Sequence, residues 1–297
     1  MSAETSNSPV QDAFNNIGAI LDIRPLDHKF QDEEADKLCE SVTVLNQFLE
    51  HKPDHELVTG ILSRALLYNL EGVNDVRRAK MLAEKLADKG NLNALHTLGM
   101  ICLLGLGGAK KDIRAATNWL NSAAKKSFPP SLTAMSYILA ESGAHSDAFD
   151  YLKQAADQGY APAQTELAYR HIIGQGVTKN YSTALHYCLP AAEKGHILAQ
   201  YLAGYLNEEG YGKPRNYRQA LKWYTAAAEQ GLAEAQYRLG NLYRSGGEVK
   251  VNLEAARTWL QAAANQGHEE AVKTLAEMNE IDQIFGPVLG GPSAGGR

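Results

Sequence analysis

Residues 163–168, 199–204 and 235–240 read AQTELA, AQYLAG and AQYRLG, three versions of one segment at intervals of 36 residues. The same register places glycines at 174, 210 and 246, asparagines at 180, 216 and 252, and aromatic residues at 187, 223 and 259. An Ala-Ala pair and a closing glycine complete each copy. A fixed period of this length is typical of stacked supersecondary units rather than of a closed globule.

Residues 233–267, AEAQYRLGNLYRSGGEVKVNLEAARTWLQAAANQG, show why each copy predicts a pair of helices. Ala235 and Leu239 lie on one apolar stripe of a first helix. Gly246 ends that helix, since glycine readily adopts the left-handed conformation found beyond a helix C-terminus. Asn252 has the position of an N-cap for the second helix. The buried face of that second helix then carries Ala256, Trp259, Leu260, Ala263 and Ala264.

Small residues at repeated positions predict close packing between the helices. Gly204 and Gly240 fall in first helices, whereas Ala227 and Ala228 fall in a second helix. We expect the helices to approach closely there, with one large aromatic side chain such as Trp259 buried between units. Truncation of a buried Trp259 to alanine is then expected to cost roughly 3–5 kcal/mol.

The pattern divides the chain into a flexible N-terminal arm, N-terminal helices with a degenerate repeat, five repeats, a capping helix and a flexible C-terminal tail: 1–30, 31–90, 91–267, 268–281 and 282–297. The repeat at 128–159 has lost four residues after Ser142, where its neighbours have a glycine-rich turn. Both ends carry an apolar cluster, at 14–21 and at 284–289. These clusters are candidate docking motifs.

The repeat unit resembles the Sel-1-like repeat, an α-solenoid relative of the tetratricopeptide repeat. The residues that carry the resemblance in the last full copy are Ala233, Ala235, Leu239, Gly240, Tyr243, Gly246, Asn252, Ala256, Trp259, Ala263, Ala264 and Gly267. The likeness covers residues 91–280 well and 54–90 loosely. It implies an all-α fold, a right-handed solenoid of stacked antiparallel helix pairs, which serves as an adaptor for protein complexes and signalling. Proteins with such repeats are common in bacteria.

A secreted branch of the resembling family carries disulfide-linked repeats and has been linked to β-lactam binding. Here Cys39, Cys102 and Cys188 are scattered, so we expect no disulfide framework and a reducing compartment. The N-terminus lacks the basic and apolar regions of a secretory signal. No stretch reaches the roughly 20 apolar residues of a membrane span. We therefore expect a soluble cytoplasmic protein.

The composition and motifs exclude several classes of function. The 297 residues carry a net charge of −5, so no overall basic field favours a nucleic-acid partner. No phosphate-binding glycine motif and no paired-histidine zinc motif occurs. The glycines at 105–108 are interpreted as an interhelical turn. We expect no cofactor, no metal and no catalysis.

Helical geometry turns some positions of the first helices away from the packed stripe. These positions predict a tyrosine-rich groove on the concave face. In five successive first helices these positions hold His96, Met100 and Leu103; Thr133, Tyr137 and Ala140; Thr165, Tyr169 and Ile172; Tyr201, Tyr205 and Glu208; Tyr237, Asn241 and Arg244. Tyrosine is favoured at recognition surfaces because it offers a large rigid area with one polar tip. The predicted partner-binding residues are His96, Tyr137, Tyr169, Tyr201, Tyr205, Tyr237, Asn241 and Arg244.

Packing between adjacent units is an alternative role for these tyrosines. Tyr201 and Tyr237 occupy a position where the resembling family itself often carries tyrosine, which favours packing for those two. Tyr137, Tyr169 and Tyr205 recur at one non-consensus position in three successive repeats. For these three, binding and packing are both open.

The sequence thus predicts a noncatalytic cytoplasmic scaffold that binds a peptide or protein partner on its concave face. One alternative is a regulatory or cell-wall-ligand-binding protein, similar to the β-lactam-binding branch. Another is that the apolar ends, 14–21 and 284–289, dock into the chain's own groove or into that of a neighbour. The identity of the partner and the oligomeric state are left open.

Overall fold

A computed structural model of the chain describes residues 9–23, 32–68, 74–246, 248 and 250–289, with side chains at 9–22, 34–68, 74–246, 248 and 250–280. The described residues form α-helices, one short 3₁₀ turn and connecting loops, and they contain no strand. The chain divides into two compact units, Met1–His196 and Ile197–Arg297, here unit 1 and unit 2. The predicted all-α fold of stacked helix pairs is confirmed.

The described residues of unit 1 form two N-terminal helices followed by four helix pairs. The N-terminal helices are α1, Pro9–Ile23, and α2, Asp32–His51. The four pairs are α3, Glu56–Ala65, with α4, Val76–Ala87; α5, Leu92–Leu104, with α6, Ile113–Ala124; α7, Pro129–Glu141, with α8, His145–Asp157; and α9, Ala161–Ile173, with α10, Tyr181–Glu193. Each second helix packs on its own first helix and, up to α9, on the first helix of the next pair.

Unit 2 has two helix pairs and a final helix. The pairs are α11, Ile197–Glu209, with α12, Tyr217–Glu229; and α13, Ala233–Ser245, with α14, Leu253–Asn265. The final helix, α15, spans Glu269–Leu289 and packs on α14. It is longer than the predicted capping helix at 268–281, so residues 282–289 of the predicted tail are helical. The side chains of the apolar cluster at 284–289, and residues 290–297, lie outside what the structure describes.

Polar caps begin the second helices, as the repeat pattern predicts. In five of them the side chain of the N-cap accepts a hydrogen bond from the backbone N–H three residues later: Asp75, Asp112, Asn180, Asn216 and Asn252. Helix α8 instead begins after Ala144, which makes no side-chain cap. Only Ser142, Gly143 and Ala144 connect α7 to α8, so the predicted shortened loop is confirmed and has removed the capping residue.

Glycines in the first helices receive large side chains from the second helices. A β-carbon built on Gly204 would lie 2.5 Å from Cδ1 of Tyr224, and one built on Gly240 would lie 2.7 Å from Cγ of Leu260. Tyr224 and Leu260 are fully buried, whereas Trp259 is half-buried. The predicted full burial of Trp259 is therefore wrong, although its side chain does pack on the core that α12 and α13 form. Successive residues of a helix point about 100° apart. The residue after each tryptophan, Tyr224 or Leu260, therefore faces the glycine.

The repeated glutamine of the AQ dipeptide links consecutive repeats. Nε2 of Gln164 donates to the carbonyl oxygen of Ala156 at 3.2 Å, and Nε2 of Gln236 donates to that of Ala228 at 3.1 Å. Both acceptors lie in the last turn of the preceding second helix, where backbone carbonyls have no intrahelical partner. These buried amides therefore stabilise the stacking of one repeat on the next.

Residues 9–23 form a packed helix, although the sequence predicts a flexible arm at 1–30. The side chains of Ala13, Ile17, Ile20 and Leu21 are buried in the core of unit 1. Their spacing of four, seven and eight residues gives one apolar stripe on α1. Helix α1 packs mainly on α2 and also contacts α3 and α9, so the apolar cluster at 14–21 packs within its own chain.

Candidate functional site

A cavity of about 630 Å³ lies on the first-helix face of unit 1. Four first helices, α3, α5, α7 and α9, contribute to its lining, and the end of α1 adds Leu21. Most of the lining is apolar, with Leu67, Met100, Leu103 and Ile138 among the contributors. Consecutive first helices therefore line a concave surface within this unit.

Arg64 fixes the end of α1 beside the cavity. Its Nη2 donates a 2.8 Å hydrogen bond to the carbonyl oxygen of Leu21, and its Nη1 lies 3.8 Å from the Asp22 carboxylate. The guanidinium also hydrogen-bonds the side chain of Tyr160 at the start of α9. Arg64 is 7% exposed, and a buried cation is tolerated when it is paired and hydrogen-bonded in this way. The sequence gives no sign of this contact.

His96, a predicted partner-binding residue, lies in the cavity wall. Its Nδ1 is 3.0 Å from Oγ of Ser131 in α7, and its ring meets Phe128 edge to face. Burial, followed by the neighbouring Arg64 guanidinium, lowers the pKa of His96 well below its ordinary value. The ring is therefore neutral at pH 7, with Nδ1 used in packing between repeats.

Tyr137 lines the same cavity from α7 and is 45% exposed. Two other large apolar side chains of the lining reach solvent, Leu104 at 40% and Ile113 at 56%. Partial burial, followed by the Glu166 carboxylate, raises the pKa of Tyr137, so its hydroxyl stays protonated across the physiological range. The structure thus brings two predicted residues, His96 and Tyr137, to one cavity.

Tyr169 occupies the position equivalent to Tyr137 in the next repeat and is also 45% exposed. It lies on α9 but does not line the cavity. Ile173, one turn further along α9, is exposed as well. The first-helix face of unit 1 therefore presents two tyrosines in adjacent repeats, one at the cavity and one beyond it.

The predicted tyrosines of unit 2 take part in packing between helices. The hydroxyl of Tyr201 donates to Oε1 of Glu234 at 3.4 Å. Tyr205 meets Tyr211 edge to face at 5.8 Å, and Tyr237 stacks on His268 with ring centroids 4.5 Å apart. All three predicted tyrosines are half-buried. The packing alternative describes their observed contacts.

A polar network connects these rings. The Tyr224 hydroxyl donates to Glu208 at 2.7 Å, and Arg238 lies 3.5 Å from that carboxylate and 3.3 Å from Glu234. Nε2 of His268 is 2.9 Å from the second oxygen of Glu234. Burial raises the pKa of Glu234, but the bonds from His268 and Arg238 outweigh it and give a lowered pKa. This network joins α11, α12, α13 and the start of α15 within unit 2.

The last two predicted residues lie on α13. Asn241 is half-buried, and its Oδ1 has no hydrogen-bond partner among the described residues. Arg244 is exposed and lies 3.9 Å from Glu277 on α15, a spacing typical of a weak surface ion pair. Neither residue lines the cavity of unit 1.

Among the residues that the structure describes, no group of three or more histidine, cysteine or acidic side chains could hold a metal ion. None of the helices in this part of the chain is both long enough and apolar enough to cross a membrane. Cys39, Cys102 and Cys188 are thiols, and Cys188 is buried.

A family model described as the Sel1 repeat matches six stretches of the chain: residues 65–91, 92–128, 145–160, 161–196, 197–232 and 233–268. The unmatched residues 129–144 contain α7 and the shortened loop. Helices α1 and α2 precede the first match.

One curated relative and two solved structures illustrate the likeness. Chitin synthase regulatory factor 3 of Schizosaccharomyces pombe is 32% identical over 109 residues, which are 33% of this chain and 12% of that protein. A Sel1 repeat protein from Oxalobacter formigenes has a TM-score of 0.63 at 24% identity, over 91% of this chain and 86% of that chain.

A protective antigen of uropathogenic Escherichia coli with an SLR fold also has a TM-score of 0.63 at 24% identity, over 81% of this chain and 52% of that chain. This chain thus corresponds to about half of the antigen's chain and to a small part of the fungal relative. At this identity the two structures establish the fold.

Proposed function

The chain belongs to the Sel1 repeat family, whose repeats generally act as protein-interaction scaffolds, and on that premise we propose that it binds a peptide or protein partner on its concave face without catalysing a reaction. The concave face in question is the first-helix face of unit 1. The partner-binding residues of the proposal are Tyr137 and Tyr169, with His96 in the cavity wall.

The observation that carries the proposal is the matched exposure of Tyr137 and Tyr169. Both rings are 45% exposed at the same position of adjacent repeats, which is more than the intermediate burial that is usual for tyrosine. Rigid aromatic side chains are enriched in the central contacts of protein interfaces. Tyr201, Tyr205 and Tyr237 have packing partners in unit 2, so the proposal gives them a structural role.

Affinity capture with quantitative mass spectrometry tests the proposal. The bait is the full chain, compared with a Tyr137→Ala/Tyr169→Ala variant. A matched control, Met81→Ala/Leu253→Ala, removes two exposed apolar side chains from the second helices α4 and α14. We expect at least one protein to be recovered with the wild type and the control but to be depleted with the tyrosine variant. Identical recoveries from all three baits would contradict the proposal.

A second candidate, regulation of an enzyme by binding, is favoured by one observation. The fungal relative is a regulatory factor of chitin synthase by name, and it matches 33% of this chain. If this candidate holds, the captured partner is an enzyme whose rate changes on addition of the purified chain. An unchanged rate at saturating chain would leave the simple scaffold as the function.

The proposed cellular location is the cytoplasm. Cys39 and Cys102 are half-buried thiols, which a reducing compartment keeps in that form. Fractionation of the source cells with an antibody against the chain tests the location. Recovery from a secreted or membrane fraction would contradict it.

A further inference from the structure

Helix α1 lies outside the matched repeats, yet it forms part of the first-helix face of unit 1. It packs mainly on α2, and it also contacts α3 and α9, two first helices that are separated in sequence by two complete pairs. Ile17 and Leu21, four residues apart, are almost completely buried in the core that α1 shares with α2 and α3. This face therefore already binds one amphipathic helix, supplied by the chain itself.

The cavity begins where α1 ends. Leu21, a buried side chain in the last turn of α1, forms one wall, and Met100, Leu103 and Ile138 contribute apolar surface beyond it. The volume of about 630 Å³ falls within the roughly 300–1,000 Å³ that is usual for ligand pockets. The surface of the cavity thus continues from Leu21 with the same apolar chemistry.

The mouth of the cavity presents three large side chains to solvent, those of Leu104, Ile113 and Tyr137. Each square ångström of apolar surface left in water forgoes about 25 cal/mol. A cluster of such side chains around a concavity is typical of a binding site. In contrast, Met81 is exposed on the second helix α4 and does not line the cavity.

The cavity offers few polar groups to a ligand. The described residues give Nε2 of His96 and the hydroxyl of Tyr137 no hydrogen bond, so both can contact an occupant. Arg64 is already engaged with α1. At the edge, Lys111 and Glu141 carry opposite charges. The lining therefore suits an apolar occupant with one or two hydrogen-bonding groups rather than a highly charged one.

We propose that this cavity binds the apolar face of a short amphipathic helix from a partner protein, with two bulky side chains four residues apart inserted next to Leu21 of α1. The inference rests on the proposed function, to which it adds the class of partner segment and the role of α1 as a wall of the site. An apolar groove recognises an amphipathic helix through anchor side chains at spacings such as i and i+4. Ile17 and Leu21, two buried side chains of α1, have the same spacing.

Methionine-methyl NMR on the full chain tests this inference directly. The probe is a helical peptide of about 15 alanine, glutamate and lysine residues with two leucines four apart; the control peptide has glutamines in their place. The methyl group of Met100 reports on the cavity, whereas those of Met81 and Met278 lie outside it. We expect a saturable shift of the Met100 resonance with the leucine peptide alone. Absence of that shift, or equal shifts with both peptides, would overturn the inference.

Two tyrosine variants provide a matched comparison. Tyr137 and Tyr169 have the same exposed fraction at equivalent positions, but only Tyr137 lines the cavity. Tyr137→Ala is expected to lower the affinity for the leucine peptide about fivefold or more, which is the effect of removing a significant contact residue. Tyr169→Ala is expected to leave its affinity unchanged. Leu104→Ala, also exposed at the mouth, should weaken binding in the same direction, and unchanged affinity in both mouth variants would overturn the inference.

A small-molecule control distinguishes a helical protein segment from a free apolar ligand as the occupant of the cavity. N-acetyl-leucinamide carries the same side chain without the helix, so it should bind more weakly than the peptide. Equal affinities would assign the cavity to a small ligand and overturn the inference while leaving the proposed scaffold function intact. If capture of partners depends on Tyr137 and Tyr169 but the Met100 resonance never moves, the function stands and only the helix-binding cavity is rejected.

Discussion

The guanidinium of Arg64 donates a 2.8 Å hydrogen bond to the backbone carbonyl oxygen of Leu21 and so joins the N-terminal helix to the repeat stack. The acceptor lies in the last turn of α1, where free carbonyls and the helix dipole favour a cation. Because Arg64 also contacts Asp22 and Tyr160, one buried side chain connects α1, α3 and α9. The cavity wall that α1 contributes depends on this residue.

Replacement of Arg64 by methionine should release α1 while retaining an apolar stem. Hydrogen bonds to charged groups contribute about 1.5–3 kcal/mol, so we expect a loss of that size in the free energy of unfolding. Hydrogen exchange should show faster exchange in α1 than in α5. As a control, Lys89→Met removes an exposed ion pair with Glu56 and should cost much less, because solvent screens such pairs. Equal losses in the two variants would contradict the role of Arg64.

Gly204→Ala should destabilise unit 2 although alanine favours helix. The new β-carbon would lie 2.5 Å from the Tyr224 ring, and such overpacking costs about 1–3 kcal/mol. Gly18→Ala in α1 is the matched control, since its β-carbon meets only Ile61 at an ordinary 3.8 Å. The control should be neutral or up to about 1 kcal/mol more stable. Urea denaturation measures both, and a stabilised Gly204→Ala protein would refute the close approach.

Replacement of asparagine by alanine should have opposite effects on stability at a helix cap and inside a helix. Asn216→Ala removes the N-cap of α12 and should cost about 1 kcal/mol. Asn118→Ala replaces an exposed residue inside α6, where alanine has the higher helix propensity, and should be slightly stabilising. Thermal unfolding of the two variants decides whether the caps act as described. Equal melting temperatures would contradict them.

His96 should make the stability of unit 1 depend on pH. Burial and then Arg64 lower the pKa of His96 well below 6.5 in the folded protein, whereas the unfolded chain titrates near 6.5. Below that pH only the unfolded state binds the proton, so stability falls as pH decreases toward the folded pKa, by up to about 1.4 kcal/mol per pH unit.

The His96→Gln variant should flatten this pH dependence, because glutamine does not titrate. Urea titrations at pH 7.5, 6.5 and 5.5 provide the comparison. Replacement of the exposed His145 by glutamine is the control, and it should retain the wild-type slope. If the His96→Gln variant also keeps the wild-type slope of stability against pH, the neutral buried ring of His96 is not the cause of the pH dependence.

The repeated segments allowed the helix pairs to be predicted, because local caps and turns determine them. Asn180, Asn216 and Asn252 cap the second helices as the sequence predicts, and the shortened loop follows Ser142 as expected. These features depend on residues within a few positions of each other. The family resemblance therefore agreed with the observed fold.

The repeat pattern could not predict contacts between residues that are distant in sequence. Helix α1 occurs once, so no repeated register indicates that Leu21 meets Arg64, 43 positions away. Trp259 and Leu260 are both apolar neighbours, and only the position of Gly240 on the adjacent helix decides which is fully buried. The tyrosines of unit 2 differ from Tyr137 because Glu234, Arg238 and His268 provide polar and stacking partners there.

Site-specific photocrosslinking in cells tests the central claim, that the first-helix face of unit 1 binds a protein. Benzoylphenylalanine replaces Tyr137, Tyr169 or, on the second helix α4, the exposed Met81. The account predicts that positions 137 and 169 form adducts with the same protein and that position 81 does not. Adducts from position 81 alone, or equal adducts from all three positions, would contradict it.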